Sequence, residues 1–143
     1  MIRKITISSL FFLVASLGFS QDSCKKFKNG TFKLTDPKSK QVCIITRNGN
    51  KQTEKMAESE EAYDFDIVWV DDCTYTVTPT AATAARNKEV LKTGTMTVKI
   101  IKTQDKSYTQ SITIANNPDF KRVDEVYVVE SKKEQQEQQE QHQ

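Results

Sequence analysis

The chain has 143 residues, 28% charged and 36% apolar, enough for one domain with a modest core. Its 21 basic residues exceed its 19 acidic ones only through Arg3 and Lys4. Residues 21–143 therefore carry 19 of each, a balance that argues against holding nucleic acid or anionic lipid. The one histidine, His142, is second from the end. That excludes Ser-His-Asp and Cys-His catalysis and leaves zinc without a recognisable ligand spacing.

The elements follow in chain order. Met1 to Lys4 is a short basic segment, and Ile5 to Phe19 is an apolar run. Gly18 and Ser20 are small residues two apart, as signal peptidase requires. The pattern predicts a secretory signal peptide over 1–20; the alternative, a transmembrane anchor, needs a longer run. Gln21-Asp22-Ser23 before Cys24 is too polar for a lipoprotein signal. The expected product is exported, periplasmic or extracellular, with neither a lipid nor a membrane span. In an oxidising compartment the odd set Cys24, Cys43 and Cys73 predicts one disulfide and one free thiol.

Strand signals run from Thr31 to Glu130. After "TFKLT", the stretch "QVCIITRNGNKQTEKM" reads as two strands around Asn48-Gly49, a strong hairpin signal when both turn residues take positive φ. With that loop Arg47 opposes Asn50, Ile45 opposes Gln52 and Cys43 opposes Glu54. One face then carries Cys43, Ile45, Arg47, Gln52, Glu54 and Met56, and the other Val42 and Ile44 with Lys51, Thr53 and Lys55. Neither face is cleanly apolar. The first is either a solvated face or a polar cluster inside a barrel, where Arg47 would pair with Glu54.

"YDFDIVWV" alternates, with Tyr63, Phe65, Ile67 and Trp69 on one face; "CTYTVTP" does the same with Cys73, Tyr75 and Val77. Between them, a two-residue loop would set Trp69, Ile67 and Phe65 beside threonines. A three-residue loop, Val70 to Asp72, pairs Trp69 with Cys73, Ile67 with Tyr75 and Phe65 with Val77, and gathers the large apolar groups together. It requires Asp72 to be left-handed. Asp71 and Asp72 are then turn residues, not a catalytic pair. Asp64 and Asp66 fall on the solvent side.

"TAATAARNKEVLKTG" from Thr80 reads as a short helix capped by Thr80 and stopped near Gly94. "TMTVKIIKTQ", "SYTQSITIA" and "RVDEVYVVE" complete eight strand candidates, the last with unclear faces. The spacing predicts a mainly β domain over 21–130. About eight antiparallel strands would form a small lipocalin-like barrel or strongly curved sheet, with one short helix or irregular segment near 80–92. "KKEQQEQQEQHQ" has nothing to bury, so 131–143 is expected to be a disordered or helical tail.

The series Cys24-x-x-Phe27-x-x-Gly30-x-Phe32, then Arg47, then Gln52-x-Glu54, then Trp69-x-x-x-Cys73-x-Tyr75 resembles a family of small exported Bacteroidota proteins, often automatically labelled "DNA topoisomerase IV". The resemblance covers most of Cys24 to Val77 and carries no activity with it. A topoisomerase subunit needs several large domains, and a net-neutral exported chain of this length excludes that activity. The chain departs from the family in its extra Cys43, its glutamine-glutamate tail and its lack of a lipoprotein signal. The resemblance implies a Cys24–Cys73 disulfide with Cys43 free, and implies that Arg47, Gln52 and Glu54 belong together.

Two functions follow as expectations. The first is an exported, monomeric binding module without a cofactor, holding a small ligand against Trp69, Tyr75 and the Arg47, Gln52 and Glu54 cluster. The second is an envelope interaction module with a filled core that docks onto a partner protein. An enzyme ranks third, because no catalytic constellation is present.

Overall fold

A computed structural model describes residues 21–131, 137 and 139–141. The expected signal peptide over 1–20, most of the expected tail and His142 lie outside the described residues. Among the described residues no helix is long and apolar enough to cross a membrane.

The eight strands are β1 (Gly30–Thr35), β2 (Val42–Asn48), β3 (Lys51–Met56), β4 (Ala62–Trp69), β5 (Thr74–Pro79), β6 (Met96–Thr103), β7 (Ser107–Ile114) and β8 (Asn117–Val128). They pair in sequence order, antiparallel throughout, and β8 returns to β1 to close a barrel. The closing seam is the shortest ladder, Phe32 opposite Val128 and Lys33 opposite Tyr127. The Val129 N–H extends it by one bond to the Thr31 carbonyl at 2.9 Å.

Period-2 patterning sets the lumen. Phe65, Ile67, Tyr75, Val77, Val98, Ile100 and Val126 are all buried inward. Outward neighbours such as Asp66 and Lys99 stay in solvent. The mixed face of β2 and β3 also points inward: Arg47 is 2% exposed and Gln52 3%. The solvated-face alternative for these residues is therefore excluded.

Both hairpin registers differ from expectation by two residues, a slip that keeps every side chain on its predicted face. In β2–β3, Asn48 pairs with Lys51 and Arg47 with Gln52, so the turn is Gly49-Asn50 rather than Asn48-Gly49. Gly49 has φ 61°, while Asn50 is not among the residues of positive φ. Glycine in the first central position is the pattern of a type II′ turn, which needs only one residue of positive φ. The Asn29 side-chain oxygen accepts the Gly49 N–H at 2.9 Å and holds the turn from outside.

In β4–β5, Trp69 pairs with Tyr75 and Ile67 with Val77, not Trp69 with Cys73. The connection is longer than three residues, and Asp72 is not left-handed. Two competing bonds explain the change. The Asp71 carboxylate accepts the Cys73 N–H at 2.8 Å, folding the loop on itself. The Cys73 carbonyl accepts the Ile100 N–H at 2.7 Å, so Cys73 joins the β5–β6 side of the ring instead of facing β4.

One end of the barrel is closed by a 3-10 turn, Gln21–Phe27. Cys24 is bonded to Cys73 at a Cα separation of 5.3 Å, as the family resemblance implies, and Cys43 is free. Such a bridge belongs to a chain that folds outside the reducing cytosol. Cys24 and Phe27 lie on the same side of the turn, three residues apart, and pack with Phe32, Ile100, Tyr108 and Val126. The Phe27 ring sits 4.9 Å from that of Tyr108. Asp72 fixes the outside of this plug, its carboxylate taking the Lys28 ammonium at 2.7 Å. Gly30, at φ 132°, turns the chain from the plug into β1, a conformation only glycine enters readily.

The helix after Pro79 is shorter than the sequence suggests. The Thr80 hydroxyl caps α1 (Ala81–Arg86) by accepting the Thr83 N–H. Thr83 is buried, and its hydroxyl donates to the Asp64 carbonyl at 2.9 Å, tying the helix to β4. Asn87 is extended and uses its side chain to accept the Glu89 N–H at 3.1 Å. That breaks the helix and starts a separate 3-10 turn, Lys88–Lys92, which ends before Gly94 at φ 67°.

Candidate functional site

Opposite the plug, the lumen is not filled. A cavity of about 300 Å³ runs from Tyr75 and Gln52 up to Asp36, Ser39 and Gln41 in the β1–β2 loop. It is at the small end of the range for ligand sites, about 300–1,000 Å³, and suits an eight-stranded barrel, whose interior has room for one small ligand. A second hollow of about 370 Å³ shares Ser39, Gln41 and Met56 with it, and forms the outer part of the mouth. The mouth loop is tightly built. The Asp36 carboxylate accepts the Lys38 N–H at 2.9 Å and the Ser39 N–H at 2.8 Å, and these bonds hold its pKa below the usual carboxylate range. Lys40 takes φ 62°, the one non-glycine residue of positive φ among the described residues.

The wall is apolar on one side, with Val77, Val98 and Ile112, and polar on the other. Gln52 donates through Nε2 to Glu54 Oε1 at 2.9 Å. Burial pushes the Glu54 carboxyl above its ordinary pKa, against the lowering effects of Gln52 and of the Arg47 charge. On β8, the Arg122 Nε donates to Asp124 Oδ1 at 2.8 Å, and its Nη2 lies 3.7 Å from Asp36 Oδ2. Cys43 also faces the cavity; burial and the nearby Glu54 raise its thiol pKa to about 11.

Arg47 lies below this cavity and does not line it. Its guanidinium donates to the Tyr75 and Tyr108 hydroxyls, at 2.5 Å each, and stacks 4.3 Å from the Phe32 ring. The expected ion pair with Glu54 is not formed. Aromatic faces and phenol oxygens take the carboxylate's place, a combination that suits a planar guanidinium. Burial holds the Tyr75 phenol well above its usual pKa. Trp69 is also outside the cavity: its ring packs against Tyr75 at 4.6 Å between centroids, tilted by 44°, with the Lys28 ammonium 5.0 Å from the Trp69 ring. Of the five expected binding residues, then, Gln52, Glu54 and Tyr75 line the cavity, while Arg47 and Trp69 support Tyr75 from behind.

Seven lining residues were not anticipated: Leu34, Asp36, Ser39 and Gln41 at the end of β1 and in the loop after it, and Gln110, Arg122 and Asp124 on β7 and β8. The alternation Tyr108-Gln110-Ile112 carried the signal for Gln110. For the two on β8, inward Val126 and Val128 continue backwards to Asp124 and Arg122. Among the described residues no group of three or more His, Cys, Asp or Glu is placed to hold a metal ion.

Fold and site together define a closed β-barrel plugged at one end and hollow at the other. Comparison with protein-family models, curated proteins and solved structures finds no match in any of the three.

Proposed function

We propose that this chain is an exported small-ligand-binding module, working in the periplasm or outside the cell, and that its ligand sits in the cavity above Tyr75. The observation that carries this reading is a mouthed cavity with both an apolar wall and buried polar side chains that a filled core would not retain. Leaving polar groups such as Gln52, 3% exposed, in an interior costs stability unless something uses them. The cavity also weighs against the alternative, an envelope interaction module with a filled core.

The test is a thermal-shift and Trp69-fluorescence screen of the chain from Gln21 onward against small molecules. Trp69 reports on the cavity because it packs against Tyr75, which lines it. A binding module gives at least one saturable response, and that response disappears in Ile112→Phe, which fills the space. No response from any compound, or responses undiminished in Ile112→Phe, overturns the proposal.

A further inference from the structure

Three carboxylates line the cavity, Asp36, Glu54 and Asp124, against one guanidinium, Arg122. Arg122 is already shared between Asp124 and Asp36. Glu54 has a hydrogen bond from Gln52 and no cation in ion-pair contact among the described residues. Arg47, which also points inward from the neighbouring strand β2, is turned toward the two phenols instead.

A second, independent observation points the same way. Gln52 and Asp124 are 3% and 8% exposed, and each keeps one buried oxygen, Oε1 and Oδ2, that accepts no hydrogen bond. Unused acceptors in such places normally find a donor, because the cost of leaving them bare is about 1–3 kcal/mol each. Gln52 and Glu54 stand on β3 and Asp124 on β8. In a ring of eight strands these are three places apart, so they approach from nearly opposite walls. The site therefore offers acceptors from two sides, an unpaired acid and an apolar wall of Val77, Val98 and Ile112, and its only basic side chain is occupied.

Resting on the binding-module reading, we infer that the ligand is a small primary amine: an ammonium head among Glu54, Gln52 and Asp124, with an apolar body against Val77, Val98 and Ile112. An ammonium brings three donors and a positive charge, which together meet the unused acceptors and the unpaired carboxylate. Burial raises the pKa of the Glu54 carboxyl, and the Arg47 charge offsets that only in part. A carboxylate ligand would meet Glu54 and Asp124 with like charge. A neutral alcohol would supply one donor only.

The experiment compares one body with three heads. Phenethylamine, 2-phenylethanol and 3-phenylpropionate are titrated into the wild-type chain by calorimetry, with calcium chloride as a fourth arm. The amine is expected to bind at least tenfold tighter than the alcohol, with no binding by the carboxylate. Glu54→Gln should weaken the amine tenfold or more and the alcohol by a smaller factor. Asp124→Asn should weaken the amine as well. The Glu54→Gln arm keeps the test decisive if loss of the Arg122 contact unfolds the Asp124 variant. The inference fails if the alcohol or the carboxylate binds as well as the amine, if calcium binds in the amine's place, or if Glu54→Gln leaves the amine's affinity intact. In each of those cases, loss of binding in Ile112→Phe would still support a ligand cavity. Binding by none of the four would overturn the amine inference, whereas the cavity reading falls only if the wider screen also gives no response.

Discussion

Removing the Cys24–Cys73 bridge tests how the plug holds the barrel. The two cysteines are 49 residues apart, so the bond closes a loop of about 50 residues. In the chain-entropy treatment such a loop is worth about 4 kcal/mol at room temperature. For a domain of about 110 residues, with an unfolding entropy of about 2.1 cal/mol/K per residue, that is a fall in Tm of about 15–20 °C. Cys24→Ala with Cys73→Ala is the right perturbation, because serines would bury two hydroxyls at sites 0% and 4% exposed. Phe27→Ala alone removes the plug's ring from Tyr108 and should cost about 3–5 kcal/mol. The decisive measurement is the double cycle by denaturant unfolding and calorimetry. If disulfide and ring hold the same element, the loss from Phe27→Ala is smaller by about 1 kcal/mol or more once the disulfide is gone. A loss below about 1 kcal/mol for the disulfide-free chain, or full additivity with Phe27→Ala, would refute the plug as a stabilising element.

Three further outcomes follow from the buried ionisable groups. The Cys43 thiol, with its pKa raised to about 11, should react with a disulfide reagent about one to two orders of magnitude more slowly near neutral pH than an ordinary cysteine of pKa about 8.5, its smaller thiolate fraction being partly offset by a more nucleophilic thiolate. Stopped-flow absorbance should show its rate rising about tenfold per pH unit toward that value; a fast, pH-flat reaction would contradict the burial. The Tyr75 pKa is raised in the folded state, so the unfolded chain loses this proton first. Its stabilising contribution is full below about pH 10 and should fall by up to about 1.4 kcal/mol per pH unit above it, a slope that Tyr75→Phe removes in urea melts. Glu54 has the same sign in acid. With its folded pKa raised, the contribution is full below the unfolded value of about 4.3 and is lost as pH rises through the folded one. Glu54→Gln should therefore flatten that part of the stability profile and leave the chain no less stable at neutral pH.

What the sequence made legible was faces, not offsets. Alternation in "YDFDIVWV" and "CTYTVTP" placed Phe65, Ile67, Tyr75 and Val77 inward correctly. It is blind to a two-residue slip, which leaves each face intact. Here Asp71, by folding onto the Cys73 N–H, and the Gly49-Asn50 turn decided the offsets. Arg47 shows a different limit. Its inward direction was readable as one of two alternatives, but its partners were not, because Tyr108 is 61 residues away and meets it only once the barrel closes. The plug over Gln21–Phe27 gave only a faint sign, the spacing of Cys24 and Phe27 at one 3-10 turn. Asp124 and Arg122 were hidden because β8 is irregular near its start, with the ladder shifting between Thr113 and Ile114, so its alternation has no clean beginning.

The short β1–β8 seam gives the barrel a mechanical asymmetry. Its paired residues are Phe32 and Lys33, with one further bond at Thr31, all beside the plug, and beyond Lys33 the two strands have no paired residues. On the cavity side the strands are spanned by the Arg122–Asp36 contact, partly in solvent. The molecule is thus built like a clasp, with a riveted hinge at the disulfide and an ionic latch at the mouth. Its girth is set by backbone pairing and a covalent bond at one end and by a side-chain contact at the other. Fit by charge at the mouth should then be strict, and the backbone amide of Thr35, which faces the unpaired part of the seam, should exchange with solvent well before that of Lys33.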